Sequence, residues 1–221
     1  MALTLDTHFV AFIDILGFSA MVQSDCESFE APKYLELLYS AHVRANALFA
    51  KDLDATLIQF SDSIVLSRPF DMSELKGFLE TIAKWQRMLL LDGLLCRGGI
   101  TFGKHFSKEK FLFSKAMIDA YHLESAKARY PRIIISEDLL QLAKTSVSLD
   151  ELPLIHQDDG ASFVDFLTID EVASADAVVA AVSVIKEKTK YEPSAVQEKI
   201  NWLLRYTDYK FKSSNAPAQF C

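Results

Sequence analysis

Glycine, proline and cysteine are all scarce: seven, six and three among 221 residues. So few chain-breaking residues exclude a collagen-like, low-complexity or disordered composition. Cys26, Cys96 and Cys221 are odd in number, with no C-x-x-C spacing and no neighbouring histidine pair. That excludes a disulfide framework or a zinc site and reads as three free thiols in a reducing cytoplasm. No lysine- or arginine-rich run occurs and the formal net charge is −7, so neither a nucleic-acid polymer nor an anionic membrane is an expected partner. A small anion bound through a metal is compatible. No apolar run approaches a bilayer span, and "MALTLDTHF" lacks a basic region followed by an apolar one, so a cytoplasmic protein is expected. His8, His42, His105 and His156 lack ligand spacing, and no metal is assigned to them.

Half of the residues are apolar, enough for one substantial domain with its own core. "FVAFIDILGFSAM" opens as a strand buried on both faces, Phe9 to Ile13, and then breaks at Gly17. "APKYLELLYSAHVRANALFAKD" has helical spacing with Pro32 near its first turn. Thr56–Phe60 and Ile64–Ser67 are β-rich runs around Ser61-Asp62-Ser63, a hairpin with Asp62 at its tip. Asp71 or Ser73 caps a second helix carrying Leu75, Phe78, Leu79, Ile82 and Trp85 on one face. "LLCRGGITFGKHF" returns to strand and is expected to end at Gly103. The order β-α-β-β-α-β is that of a ferredoxin-like fold, so an α+β domain with an antiparallel sheet covered by helices is predicted. A third helix follows from Lys115 to Arg129, stopped before Pro131, then a strand in "RIIIS" and a short helix in "EDLLQLAK". Residues 1–146 form the expected core. Residues 147–221 form an α/β extension packed on the same domain, with "LPLIHQDDG" a loop, "SFVDFLTI" a strand, a helix on either side of Pro193 and a mobile tail at 212–221.

The anomaly is Asp14, a carboxylate at the end of an apolar strand, where an unpartnered charge is costly. One reading makes it the N-cap of the helix starting near Gly17. The other uses the topology, which brings the end of the first strand to the turn of the central hairpin, so that Asp14 and Asp62 converge. Two adjacent carboxylates repel, and a divalent cation between them is the usual resolution. Mg²⁺ or Mn²⁺ held by Asp14, Asp62 and the carbonyl of Ile15 is expected. Gly17, Phe18 and Ser19 then begin a helix whose free N–H groups can receive phosphate oxygens.

"FIDILGFS", "FSDSIVL", "RGGITFG" and "AYHLE", spanning roughly Phe9 to Ser136, resemble the motifs of class III nucleotide cyclase catalytic domains. With "KARYPRIIIS", the pattern is most similar to the short cyclases of the Pycsar antiphage system, which make cyclic UMP or cyclic CMP. The resemblance implies a homodimer with composite active sites and two metal ions in each. One subunit gives the aspartates, and the other gives the Arg97 strand or the Lys115–Arg129 helix. Where purine cyclases carry a base-reading lysine stands Ile58, which counts against adenine. The family's ribose-binding asparagine and transition-state arginine map to Ile118 and His122. The positive charge then falls to His122, Lys104, Arg97 or Arg129, or the chemistry is absent. Read by themselves, Tyr121 and Glu124 are packing and surface residues. The expected function is conversion of UTP, or alternatively CTP, to a 3′,5′-cyclic nucleotide and pyrophosphate, as an infection signal for a separate effector. The alternatives are a purine cyclase and an inactive, nucleotide-binding regulatory module.

Overall fold

The computed structural model describes residues 3–50, 54–109, 111–169, 173–214 and 216. At its centre lies β1 (Asp6–Ile15), whose Phe9 to Ile13 are buried on both faces, as their continuous apolarity demands. Gly17 adopts a left-handed conformation (φ 81°) that turns the chain into α1 (Phe18–Glu27). Pro32 then precedes α2 (Lys33–Phe49). The hairpin of β2 (Thr56–Phe60) and β3 (Ser63–Pro69) leads to a short 3₁₀ turn, capped by the Asp71 side chain, and into α3 (Leu75–Leu91). β4 (Cys96–Lys108) folds back as β5 (Phe111–Ser114) before α4 (Lys115–Lys127) and β6 (Ile133–Ile135). The rest is α5 (Glu137–Ser146), β7 (Leu154–His156), β8 (Ser162–Val164), α6 (Ala175–Lys188) and α7 (Ser194–Phe211).

The strands form one sheet in the order β2-β3-β1-β4-β6-β8-β7, with β5 paired to β4 off this path. Neighbours among β1 to β4 pair antiparallel in the ferredoxin-like order, as expected. β6 joins β4 in parallel, so the full sheet is mixed. Several sequence-based boundaries shift: the strand expected in "SFVDFLTI" is confined to Ser162–Val164, and the helix expected to Arg129 ends at Lys127. β4 runs on to Lys108, past Gly103, and "LPLIHQDDG" contains β7, a three-residue edge strand too short to show alternation. The expectation of a mobile tail falls largely outside the described residues.

The two faces of the sheet are covered unequally. Phe9, Ala11, Ile13, Ile64, Leu66 and Ile100 join the main core with α2 and α3, where Leu75, Leu79, Ile82 and Trp85 are almost wholly buried. On the other face Val10, Phe12 and Val65 cluster with Ala116 and Ala120 of α4. The small residues let this helix lie close to the strands. A Cβ on Gly99 would stand 2.4 Å from the carbonyl oxygen of Ala120.

The C-terminal elements are tied in by buried polar groups. Arg87 on α3, fully buried, donates to the carbonyls of Leu167 (2.6 Å) and Ala173. Burial would raise the pKa of Asp165, but Lys210, Tyr206 and Thr168 donate to its carboxylate and hold it below the ordinary value. These bonds fasten α7 to the segment after β8.

Two stability predictions follow from this packing. Gly99→Ala forces α4 from the sheet and should cost about 2 kcal/mol or more in urea unfolding; a neutral effect would show that the helix shifts freely. His105, buried with both ring nitrogens unpartnered and 4.8 Å ring-to-ring from His8, has its pKa lowered to about 4, first by burial and then by His8. A depressed histidine stabilises the fold above its unfolded pKa near 6.5, and that contribution disappears as pH falls toward 4. Wild type should therefore lose about 3 kcal/mol more than His105→Phe between these pH values. Parallel acid limbs for the two proteins would refute this.

Candidate active site

The register of three strands builds the site. Asp14, at the end of β1, lies opposite Ser63 of β3 on one side and Arg97 of β4 on the other. The hairpin tip is strapped to β1 by a bond from the Ile15 N–H to the carbonyl of Asp62 (3.1 Å), and Leu16 N–H donates to Leu95 (2.8 Å). Ser61, preceding Asp62, takes a left-handed conformation (φ 55°), which a non-glycine residue adopts at some cost. As a result the carboxyl groups of Asp14 and Asp62 come within hydrogen-bond reach of each other. The Asp14 pKa is raised to about 6, chiefly by burial and then by the charge of Asp62, with Arg97 opposing. Asp14 is not a helix cap, because α1 has no side-chain cap and begins from Gly17.

Arg97 completes the cluster. Its Nε lies 2.5 Å from Oε1 of Glu124 and 3.6 Å from Oδ2 of Asp14. Glu124, expected at the surface, is instead 2% exposed, its pKa raised by burial against the opposing pull of Arg97. Helical spacing could not show this, because the burial depends on how closely α4 approaches Gly99. A signal did exist in hindsight: α4 keeps one buried stripe, Ala116, Ala120 and Glu124, at intervals of four. Arg97 also stands beside the Asp14 of its own chain.

The other expected residues are scattered. Phe18 opens α1 and borders a mostly apolar groove of about 490 Å³ with Val22, Leu38 and Tyr39, while Gly17 and Ser19 are exposed beside it. Ile58 pairs with Val65, itself paired with Phe12, and therefore shares the sheet face of Asp14. Lys104 is not brought to the carboxylates: it lies seven residues from Arg97 along β4, roughly 23 Å at strand rise, and donates to the carbonyl of Leu5 (3.1 Å). His122 is exposed on α4 with its ring 5.7 Å from that of Tyr121, and Arg129 is engaged by Glu198 of α7 (2.7 Å).

The cluster is suited to a hard cation. No group of three or more His, Cys, Asp or Glu side chains that could hold a metal ion is found among the described residues. A bound ion would rest on the two carboxylates, backbone carbonyls such as that of Ile15, and oxygens of substrate or water. All-oxygen donor sets of this kind select Mg²⁺ or Mn²⁺.

Neither a protein-family model nor any curated protein matches the chain. Solved structures do. The adenylyl cyclase CyaB from P. aeruginosa superposes with a TM-score of 0.54 at 16% identity, over 74% of this chain and 94% of that one. The guanylyl cyclase Cya2 gives 0.51 at 16% identity, over 74% and 93%. A bacterial light-regulated adenylyl cyclase gives 0.53 at 14% identity, over 85% of this chain and 58% of the other. The chain therefore has the fold of adenylyl and guanylyl cyclase domains.

Two half-buried carboxylates in contact destabilise a cation-free fold. In chelator at pH 8, Asp14→Asn or Asp62→Asn should raise stability by about 1–2 kcal/mol in urea unfolding. A loss of that size in both variants would mean that the pair is not held under repulsion.

Proposed function

We propose that the chain is a metal-dependent nucleotide cyclase that converts a pyrimidine nucleoside triphosphate, UTP or alternatively CTP, to the 3′,5′-cyclic monophosphate and pyrophosphate. The observation that carries this reading is the contact of Asp14 with Asp62, produced by the strand register of a cyclase fold. Bound Mg²⁺ or Mn²⁺ would stabilise the attacking 3′-oxygen and the departing pyrophosphate oxygen. Asp14 and Asp62 hold that charge in place. The first N–H groups of α1, from Phe18 and Ser19, offer donors to phosphate oxygens. Ile58 presents an apolar side chain on the same sheet face where a lysine would favour a purine. The preference for pyrimidines and the role in antiphage signalling through a separate effector are supported by the sequence resemblance.

The homodimer with composite sites belongs to the same proposal. Phe111 and Phe113 of β5 and Ile118 and Tyr121 of α4 are all about half exposed or more, an apolar surface larger than isolated residues need. The partner's contribution to each site comes from the Arg97 strand or from α4. A second reading, an inactive nucleotide-binding module, is favoured by His122 standing where the family has its transition-state arginine.

Incubating the purified protein separately with ATP, GTP, CTP and UTP, with Mn²⁺ or Mg²⁺, and identifying products by mass spectrometry tests these readings. A cyclic pyrimidine product is expected, reduced at least 10³-fold in Asp62→Ala. A cyclic purine would displace the proposed specificity. No cyclic product from a folded, dimeric sample would favour the inactive module.

A further inference from the structure

Two carboxylates, Asp14 and Glu124, share one guanidinium, that of Arg97. The last is shared unequally: Glu124 has it at 2.5 Å and Asp14 at 3.6 Å. The Glu124 side chain is 3% exposed and that of Asp14 20%, so the guanidinium Nε lies nearer the deeper acid while staying within ion-pair range of the shallower one. Glu124 is fixed in depth by the packing of α4 on Gly99, where the helix backbone at Ala120 already touches the strand. Arg97 is fixed by its position in β4 directly opposite Asp14. Without Glu124, the nearest carboxylate to the guanidinium is Asp14.

A guanidinium in contact with Asp14 would compete with a divalent cation for the same oxygens, and a buried ion pair is costly to break. We infer that Glu124 is a positioning residue. It draws Arg97 away from Asp14 and so sets the affinity of the carboxylate pair for its cation. Arg97 is then a local counter-charge that lets Asp14 and Asp62 approach each other. The inference rests on the cation-binding reading of Asp14 and Asp62.

The test is Mn²⁺ binding to the purified chain without nucleotide, followed by the electron paramagnetic resonance signal of free Mn²⁺. Wild type, Glu124→Gln, Arg97→Gln and the double variant are compared, with Asp62→Asn as control. Moving the guanidinium from 3.6 Å to contact corresponds to roughly tenfold weaker binding in Glu124→Gln at an effective dielectric near that of a protein surface. Arg97→Gln should bind Mn²⁺ at least as tightly as wild type, and the double variant should match Arg97→Gln, because the competitor has gone. A merely structural role for Glu124 would leave the double variant as weak as Glu124→Gln, and that result overturns the inference. Unchanged binding in Glu124→Gln also overturns it. If Glu124→Gln does not fold, Arg97→Gln decides alone, weaker binding counting against the proposal. Wild-type binding that is absent, or indifferent to Asp62→Asn, overturns the metal site itself and this inference with it.

Discussion

The site depends on one backbone hydrogen bond and the register behind it. The Ile15 N–H reaches the carbonyl of Asp62 at 3.1 Å and fastens the hairpin tip to the end of the central strand. With β1 already fixed between β3 and β4, this bond brings Asp62 beside Asp14. A one-residue slip of β3 would turn Ser63, Val65 and Ser67 to the opposite face and remove the match. The register is secured by burial, since Ile64 and Leu66 belong to one core and Val65 to the other.

That constraint places repulsion inside a well-packed frame. α3 buries a broad apolar face against the sheet, and the hydrophobic contribution of such residues, about 1.5–3 kcal/mol each, far exceeds the cost of two carboxylates in contact. Strain is tolerated where surrounding structure over-determines the backbone, which is the situation of Ser61 at the hairpin tip. The opposite face of the sheet is lightly covered, by one helix that meets β1 and β4 through alanines and a glycine. The arrangement leaves the Asp14 side of the sheet accessible while its back carries the stability.

Much of this was legible in the sequence. The uninterrupted apolar run of β1 announced a doubly buried strand, and a carboxylate at its end had to have a partner. The hairpin was visible in β-rich runs on either side of Ser61-Asp62-Ser63. What periodicity could not deliver were facts created by long-range approach. Glu124 shares a helical face with Ala116 and Ala120, but its charge reads as surface, and it is buried because Gly99 lets α4 settle onto β4. Arg97 was visible as a candidate, but its allegiance to Asp14 of its own chain comes from the β1–β4 register. Lys104 looked close in sequence to Arg97, yet extension along a single strand carries it to the far end. β7 escaped because three residues hold too few alternations to count.

Arg87 has a bearing on the order in which the molecule can be made. Its guanidinium sits at the heart of α3, and the carbonyls that receive it, those of Leu167 and Ala173, come some eighty residues later in the chain. A nascent polypeptide that has delivered only β1 to α4 holds a cation inside its forming core with these acceptors still unsynthesised. The N-terminal half and its C-terminal neighbour thus share one core through a bond between residues far apart in the chain.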